Sequence, residues 1–522
     1  MEAGGKIMKS DISIKLRLAL LILFVTFSVN SCSEEMPVMD TSGTILIKTS
    51  EIINASFIGN GAQWGGYELL NDWTGRDDFS NSDWEKLKQR IDFMRPPFLR
   101  IMVDGNWSYI RNNTYDRTKT RESLFRMLQY CQDNNITVMF GEWGHKYLNN
   151  DRNQINEEWL VWAADYLDWL VNDKGFTCIK YFNMVNEPNG DWSSTNGNYT
   201  LWKSIMTKFQ SELEKKDLYE IVKLVGPDVA VWDAGLTSWV SNTNKDLGDF
   251  VELYDIHTYP SQSFVRGDGY RDMLDQYKNA VPEGKQIVMG EIGFKYNNED
   301  YSLKEENETR IENDKYASSD CNMFVYDAFY GVDMSDAIVQ CMRAGYGGAL
   351  VWSMDDAMYN KPDYNAGERY DAKKLKRWGF WNILGSEVCS DPTDEEIRPY
   401  FYPVSLLCRY FPAGSEVYNV ELPNKYGLRA IAAQKNGYYT IAIVNSNYVS
   451  YDNLLLRADS MPPLLNVKEY KYFSGAEAEF TGNTDGNGLP LPETENNTLD
   501  LSKGISIEME GQSVVIYTNL PD

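Results

Sequence analysis

The sequence predicts a (β/α)8 TIM barrel followed by an all-β sandwich domain, and three observations support this. Short apolar runs alternate with amphipathic segments over most of the chain, a pattern typical of consecutive βαβ units. Eight such runs favour a closed barrel over an open sheet. From about residue 412 the pattern changes to β segments separated by Gly, Asn and Pro turns. The 522 residues, 43% of them hydrophobic, provide enough length and apolar material for two domains.

We predict that the barrel occupies residues 44–411 and the sandwich residues 412–522. A short strand at residues 44–48 either joins the sandwich or closes the barrel floor. Ser82 is the expected N-cap of the first long helix. The predicted barrel strands are residues 55–59, 98–103, 137–141, 181–185, 223–225, 253–257, 286–290 and 349–353, and the helices between or after them are residues 82–94, 121–134, 159–172, 201–215, 269–280, 334–344 and 403–411.

Two connections are unusually long. Residues 295–332 follow the seventh predicted strand and residues 355–398 follow the eighth. Both leave the end of the barrel at which active sites lie. Because long ordered loops usually serve binding or catalysis, we expect both connections to build the walls of a substrate site.

The N-terminus resembles a bacterial lipoprotein signal. The apolar run at residues 18–29 follows a short basic segment and is too short to span a bilayer. Cys32 comes directly after a small residue, as in a lipobox, although Asn30 departs from the usual pattern. We predict a signal peptide over residues 1–32, lipidation of Cys32 and a polar tether over residues 33–43.

This signal predicts a position outside the cytoplasm. With Cys32 lipidated, the protein is expected to be anchored to a bacterial membrane, at the outer membrane or cell surface, through its lipid alone. If Cys32 is an incidental residue after a plain signal peptide, the protein is expected to be secreted.

Charge and composition limit the possible partners. The formal net charge of −26 repels phosphate backbones, so a nucleic acid partner is not expected. Only two histidines are present, His145 and His257, which excludes a His-rich metal site and favours carboxylate chemistry. No metal or organic cofactor is predicted. The seven cysteines include no CxxC pair. Apart from Cys32 we expect them to be buried free thiols, with a Cys389–Cys408 disulfide as the alternative.

Two glutamates follow apolar strands directly. Glu187 comes after the fourth predicted strand and Glu291 after the seventh. Strands four and seven lie on opposite sides of an eight-stranded barrel, so the two side chains can meet across a bound sugar. Such a pair suits glycoside hydrolysis, in which one carboxylate attacks and the other protonates the leaving oxygen. The negative charge of the first is expected to raise the pKa of the second.

The segment Asn186-Glu187-Pro188 after strand four and Glu291 after strand seven resemble clan A of the glycoside hydrolases, with families 5, 30 and 39 the most similar. The resemblance implies a (β/α)8 barrel and retention of configuration through a covalent glycosyl-enzyme. It implies that Glu187 is the acid/base, that Glu291 is the nucleophile and that Asn186 binds the sugar 2-hydroxyl.

Other residues extend this resemblance over residues 50–411. Arg100 ends strand two, where clan members keep an Arg that holds the nucleophile ionised. His257 and Tyr259 match the strand-six position that contacts the two carboxylates. Trp352 ends strand eight, where the clan often places the floor of the sugar site. The implied activity is retaining hydrolysis of β-linked poly- or oligosaccharide by a monomeric enzyme.

Tryptophans cluster at predicted strand ends. Sugar rings pack on aromatic faces, so a carbohydrate cleft needs flat apolar walls. We therefore expect substrate contacts from several of these rings beside Trp352: Trp64, Trp107, Trp143, Trp192 and Trp232.

Alternatives remain at each position. Glu187 can be a helix-starting carboxylate, Glu291 a partner in a buried ion pair with Arg100, and His257 a core histidine. Glu142 and Asp255 are rival strand-end carboxylates. His145 is either a substrate contact or a plain loop residue, and Asp355-Asp356 a solvated or sugar-binding loop. The functional alternatives are a non-catalytic cell-surface glycan-binding protein on a degenerate barrel and a transglycosylase that uses the same Glu pair.

Overall fold

The computed structural model describes residues 43–118, 122–144, 154–232, 234–359, 374–474 and 481–522. The predicted signal peptide, the lipidation site at Cys32, nearly all of the predicted tether and His145 lie outside these residues. No helix in the described part of the chain is long and apolar enough to cross a membrane.

Eight parallel staves form a closed barrel, as predicted. The eighth strand pairs with the first through Leu350 and Gly61, which closes the ring. The fifth stave consists of two short strands separated by residues 226–228. The barrel strands are Gly61–Gln63, Phe98–Val103, Thr137–Glu142, Ile179–Asn183, Lys223–Val225 with Val229–Val231, Val251–Thr258, Gln286–Ile292 and Ala349–Val351.

The first barrel strand is Gly61–Gln63, so the prediction of residues 55–59 is wrong. With three residues and a glycine at its start, this strand is too short to show an apolar run. Gly61 is required because a Cβ there would overlap the carbonyl oxygen of Phe98 on the second strand. The remaining strands overlap their predicted positions, and the fourth lies two residues earlier, at Ile179–Asn183.

Helices cover the outside of the barrel close to the predicted positions. The helix Asn81–Met94 is capped by Ser80, whose hydroxyl accepts a hydrogen bond from Asp83 N, so Ser82 is not the cap. The other helices are Leu70–Thr74, Gly105–Ser108, Glu122–Asp133, Glu157–Asp168, Tyr199–Glu214, Thr237–Leu247, Gln262–Arg266, Gly269–Ala280, Tyr301–Asn313, Ala328–Arg343 and Phe401–Arg409.

The barrel interior is apolar at its base and polar at its mouth. Side chains two apart on a strand point to the same face. Phe98 and Arg100 therefore both point inward, as do Leu253 and His257. The base is a separate apolar cluster with one residue from each of six staves: Phe98, Met139, Val225, Leu253, Val288 and Leu350. This packed layer leaves the polar inward-facing residues at the carboxyl ends of the strands.

The second domain is built on one nine-stranded sheet, mostly antiparallel, as predicted for an all-β domain. Its strand Gly43–Asn54 comes from the N-terminal side of the barrel, which decides between the two positions considered for residues 44–48. The predicted barrel boundary at residue 44 therefore moves past this strand. The other strands are Glu416–Glu421, Leu428–Lys435, Tyr438–Asn445, Tyr451–Ala458, Leu464–Phe473, Thr494–Leu499, Ile505–Met509 and Ser513–Thr518.

The helix Ala328–Arg343 joins the barrel to the β domain. Arg343 donates to the carbonyl oxygens of Val420 and Ala430, at 3.0 and 2.8 Å. Ser446 donates to the buried carboxylate of Asp336 at 2.5 Å. These contacts satisfy buried charged groups, which are costly when unpaired. The six cysteines in the described residues are buried free thiols, so the alternative Cys389–Cys408 disulfide is not formed.

Candidate active site

A cavity of about 1160 Å³ opens at the carboxyl ends of the barrel strands. Residues at the ends of strands three to eight line it. Both long connections contribute to its wall, as expected: Lys295 belongs to the first connection, and Tyr359 and Lys376 belong to the second. The position agrees with the general rule for (β/α)8 barrels, in which this face carries the reactive groups.

Glu187 lies in this cavity, four residues after the fourth strand. Its backbone adopts a left-handed conformation with φ of 45°, which is uncommon for a residue other than glycine. The carboxylate accepts two hydrogen bonds. Trp192 Nε1 donates to Oε2 at 2.7 Å, and His257 Nδ1 lies 3.1 Å from Oε1.

Glu291 reaches the cavity because of a bulge in the seventh strand. Ile256 on the sixth strand pairs with Met289, but the next residue, His257, pairs with Glu291, which leaves Gly290 as the extra residue. A Cβ at Gly290 would overlap the carboxylate of Asp255. Glycine at this position therefore permits the bulge that places Glu291 opposite His257.

Arg100 connects the parts of the site. Its guanidinium is completely buried and pairs with Glu291 Oε1. It also donates to Asn186 Oδ1 at 2.8 Å and to Gln63 Oε1 at 3.0 Å. Tyr259 donates its hydroxyl hydrogen to the other oxygen of Glu291 at 2.7 Å. Both oxygens of Glu291 therefore accept hydrogen bonds, which holds the carboxylate in one orientation.

The two glutamates lie close together. One carboxylate oxygen of Glu187, one of Glu291 and a ring nitrogen of His257 all lie within 4.8 Å of one another. Both carboxylates line the same cavity. A group bound between them is therefore in reach of both.

Solved structures with this fold share little sequence with the chain. Xyn30A, a glycoside hydrolase family 30 subfamily 8 xylanase from Clostridium acetobutylicum, is 12% identical with a TM-score of 0.57, and the match covers 91% of this chain and 99% of Xyn30A. A GH39 β-xylosidase from Caulobacter crescentus is 12% identical with a TM-score of 0.56, covering 92% and 100%. An α-L-arabinofuranosidase from Thermotoga maritima is 13% identical with a TM-score of 0.57, covering 91% and 99%.

The fold is that of the clan A glycoside hydrolases. This confirms the resemblance predicted from the strand-end residues. No protein-family model and no curated protein matches the sequence. At 12 to 13% identity the likeness establishes the fold, and the chemistry has to be argued from the site itself.

Asp228 is a member of this site that the sequence analysis missed. It follows the first half of the fifth stave and is buried. Its carboxylate accepts from Asn183 Nδ2 at 2.6 Å and from the backbone N–H of Glu187 at 3.3 Å. It also lies 3.1 Å from His257 Nε2 and 3.4 Å from Arg100 Nη2. Asp228 therefore supports both Glu187 and the two cationic side chains.

Removing the charge of Asp228 should destabilise the protein at neutral pH. Burial raises the pKa of Asp228, but the charges of His257 and Arg100 outweigh it and lower the pKa to about 2. A pKa below its unfolded value adds stability above that value, here about 2 kcal/mol. We expect Asp228→Asn to lose about this amount at pH 7 in urea unfolding, and the difference from wild type to shrink as the pH falls from 4 through 2. The exposed Asp452→Asn is the control; equal unfolding free energies would contradict the prediction.

The surroundings of His257 favour its positively charged form, because each ring nitrogen lies 3.1 Å from a carboxylate oxygen. Burial alone lowers the pKa of its imidazole, but the carboxylates of Glu291 and Asp228 outweigh burial and raise the pKa well above its usual value. In the imidazolium form both ring nitrogens donate, so Nδ1 donates to Glu187 and Nε2 to Asp228. His257 is fully buried with both ring nitrogens partnered, as expected for a core histidine, and it also lines the cavity.

The predicted pKa shift of Glu187 is wrong in direction for the substrate-free site. Burial raises the pKa of Glu187, but the hydrogen bond and charge of His257, together with the Trp192 hydrogen bond, bring it below the usual value. The sequence analysis considered only the negative charge of Glu291. It had no means of placing an imidazolium against the same carboxylate.

The rival strand-end carboxylates lie outside the cavity lining. Glu142 is buried and accepts from Gly105 N at 2.8 Å and from Tyr109 Oη at 2.9 Å. Burial raises the pKa of Glu142 well above its usual value. Asp255 accepts from Gly290 N at 2.7 Å, and burial raises the pKa of Asp255 to about 7. Both side chains stabilise the barrel beneath the site.

Asp355 and Asp356 are buried, so the prediction of a solvated or sugar-binding loop is wrong. Asp355 accepts from Tyr67 Oη at 2.7 Å and from Trp381 Nε1 at 3.1 Å. Asp356 pairs with Arg398. These contacts hold the connection after strand eight against the barrel and so fix part of the cavity wall.

The predicted tryptophans divide into two sets. Trp143, Trp192, Trp232 and Trp352 line the cavity. The prediction of a substrate contact is wrong for Trp64, which is completely buried and stacks on Trp84 in the core. Trp107, in the short helix Gly105–Ser108, is also outside the cavity lining.

Tyr359, which the sequence analysis missed, completes the aromatic floor. Its ring is stacked on Trp352, with centroids 5.5 Å apart and planes within 2°, and Trp143 meets both rings edge-on. No sequence signal marks Tyr359, because it lies inside a long connection. The stacked pair forms a flat surface of the kind that sugar rings pack against.

Two groups of side chains in the described residues have the spacing of a metal site. They are Glu187, His257 and Glu291, and Asp228, Asp255 and His257. The guanidinium of Arg100 contacts Glu291 and Asp228, and His257, whose contacts favour a positive charge, belongs to both groups. These fixed positive charges compensate the carboxylates and oppose binding of a cation.

Proposed function

We propose that the protein is a retaining glycoside hydrolase that acts on β-linked poly- or oligosaccharide by double displacement. One observation carries the proposal. An oxygen of Glu187 and an oxygen of Glu291 lie within 4.8 Å in one cavity with an aromatic floor. Retaining enzymes hold their two carboxyls about 5–5.5 Å apart, whereas inverting enzymes leave about 6.5–9.5 Å for a water molecule.

In the first step Glu291 attacks the anomeric carbon. The C–O bond to the leaving group breaks, a bond from the anomeric carbon to a Glu291 oxygen forms, and the proton of Glu187 passes to the glycosidic oxygen. Arg100 and Tyr259 direct hydrogen bonds at Glu291, which orients the attacking oxygen. Because the Glu291 carboxylate is already positioned, the attack takes place within one complex and avoids the entropic cost of a bimolecular encounter.

In the second step water attacks the same carbon from the opposite side. Glu187, now a carboxylate, takes a proton from that water, and the bond to Glu291 breaks. The hydrogen bond and positive charge of His257 lower the pKa of Glu187 and so favour its carboxylate, which is the form that this second step requires. The two inversions restore the starting configuration at the anomeric carbon.

The retaining mechanism predicts the anomer of the first product. Purified protein is screened against p-nitrophenyl β-D-xyloside, β-D-glucoside, β-D-galactoside and α-L-arabinofuranoside, and against xylan and β-glucan oligosaccharides. Proton NMR then follows the best substrate from the start of the reaction. We expect the anomer with the substrate's configuration to appear first and the other to follow by mutarotation.

Initial release of the opposite anomer would contradict retention, and turnover of the α-L-arabinofuranoside alone would contradict the β-linkage part of the proposal.

Asn186 and the N-terminal signal also support the proposal. Asn186, the residue expected to bind the sugar 2-hydroxyl, lies beside Glu187 and accepts a hydrogen bond from Arg100. The signal at residues 1–32 with Cys32 supports an enzyme that works outside the cytoplasm.

A further inference from the structure

Both oxygens of Glu187 are occupied in the substrate-free site. Oε1 accepts from His257 Nδ1 and Oε2 accepts from Trp192 Nε1 at 2.7 Å. An indole N–H is a donor only, and its hydrogen bond to a charged carboxylate is stronger than one to a neutral carboxyl group, so the Trp192 contact favours the carboxylate over the carboxylic acid. The first step of the proposed function requires the acid. The resting site therefore holds Glu187 in the form that cannot begin the reaction.

Trp192 is held in place weakly. Its side chain is 54% exposed although its N–H is bonded to Glu187. The indole lies against the backbone of Gly190, where a Cβ would overlap the ring. Trp232, 61% exposed, is its aromatic neighbour, with centroids 5.8 Å apart and planes at 58°. A ring with this exposure can move with little loss of packing.

The two aromatic groups are associated with different carboxylates of the pair. The guanidinium carbon of Arg100, which pairs with Glu291, lies 5.9 Å from the centroid of the Trp143 ring. Trp143 in turn contacts the floor formed by Trp352 and Tyr359. Trp192 instead contacts Glu187. The group that protonates the glycosidic oxygen faces the leaving group. Trp192 and Trp232 are therefore on the leaving-group side.

We propose that Trp192 and Trp232 form a binding site for the leaving-group sugar, and that the Trp192 hydrogen bond, added to that of His257, favours the deprotonated form of Glu187 until that sugar displaces the indole N–H. The inference rests on the proposed function. Trp192 acts here as a positioning residue and supplies no proton. Once Oε2 is free, Glu187 takes up a proton from hydronium in the open cavity, which leaves water. It passes that proton to the glycosidic oxygen as the C–O bond breaks and Glu291 bonds to the anomeric carbon.

The test compares Trp192→Phe, which keeps an aromatic ring and removes the donor, with the matched control Trp232→Phe. The substrate is the oligosaccharide of the screen with the highest turnover, for which cleavage of the sugar leaving group limits kcat. The pH profile of kcat/KM reports the free enzyme and that of kcat the bound complex. Loss of one hydrogen bond to a carboxylate raises its pKa by about half to one unit.

We expect Trp192→Phe to move the basic limb of kcat/KM upward by that amount and to leave the basic limb of kcat in place. Trp232→Phe should move neither limb. Gly190→Ala, which pushes the indole away without removing it, should reproduce the Trp192→Phe shift. An equal shift in kcat would overturn the displacement step, and no shift in either profile would overturn the role of Trp192.

A second measurement does not depend on activity. The pKa of Glu187 is followed by 13C NMR in substrate-free protein labelled with [5-13C]glutamate, the signal being identified by its loss in Glu187→Gln. A higher pKa in Trp192→Phe than in wild type supports the inference, and an equal pKa overturns it. If the NMR shift occurs but wild type cleaves no glycan of the screen, the proposed function fails and the displacement step fails with it.

Discussion

Replacing Glu291 with Gln is expected to reduce kcat/KM by roughly 10⁴-fold or more on the best substrate of the screen. An amide does not form the glycosyl ester, so the double displacement cannot proceed, and loss of a nucleophile has effects of this order in other covalent enzymes. The neutral side chain also leaves the buried guanidinium of Arg100 with less negative charge beside it.

Glu142→Gln is the matched control for Glu291→Gln. Glu142 is also a buried strand-end glutamate, but it lies outside the cavity lining, and burial raises the pKa of its carboxyl, so an amide is a close substitute. Thermal unfolding of all three proteins shows whether the variants fold. Unchanged turnover of Glu291→Gln on every glycan tried would defeat the nucleophile assignment, and binding of glycan without cleavage by wild type would favour the glycan-binding alternative.

Replacing Glu187 with Gln is expected to lower kcat/KM most for substrates whose leaving group must be protonated as it departs. General acid catalysis contributes about 10²–10⁴-fold. An oligosaccharide should therefore lose about that factor in kcat/KM. A 2,4-dinitrophenyl glycoside of the same sugar should lose little, because its leaving group departs as a stable anion. Steady-state kinetics on the two substrates measures the difference.

Azide provides the control for Glu187. In Glu187→Ala, azide does not need a base, so it should restore turnover of the dinitrophenyl glycoside and yield a glycosyl azide with the substrate's configuration. Glu291→Ala with azide should give the opposite configuration, since azide then attacks directly. Equal losses on both leaving groups in Glu187→Gln would show that Glu187 is not the acid.

The main catalytic candidates were predictable because they follow from local pattern. An apolar run that ends in a carboxylate marks the mouth of a barrel strand, and Glu187 and Glu291 both have this signature. The same reasoning located Arg100 and His257. Arg100, His257 and Glu291 lie within their strands, where alternation decides which side chains face inward, and Glu187 lies four residues beyond its strand.

The features that were missed depend on distant parts of the chain. Asp228 follows a three-residue strand, so no apolar run marks it, and its partners lie on three other staves. Trp64 looks like a strand-end ring, but its stacking on Trp84 of the helix Asn81–Met94 could not be predicted from spacing. The pKa direction of Glu187 likewise depends on the charge of His257, seventy positions away in the sequence.

The origin of the strand Gly43–Asn54 affects how the protein transmits force. This strand lies in the middle of the nine-stranded sheet, antiparallel to Glu416–Glu421 on one side and parallel to Tyr451–Ala458 on the other. A pull from the N-terminal side of the chain therefore loads two hydrogen-bonded ladders of the β domain before it reaches the barrel. The β domain therefore resists such a force first, and the barrel strands are shielded from it.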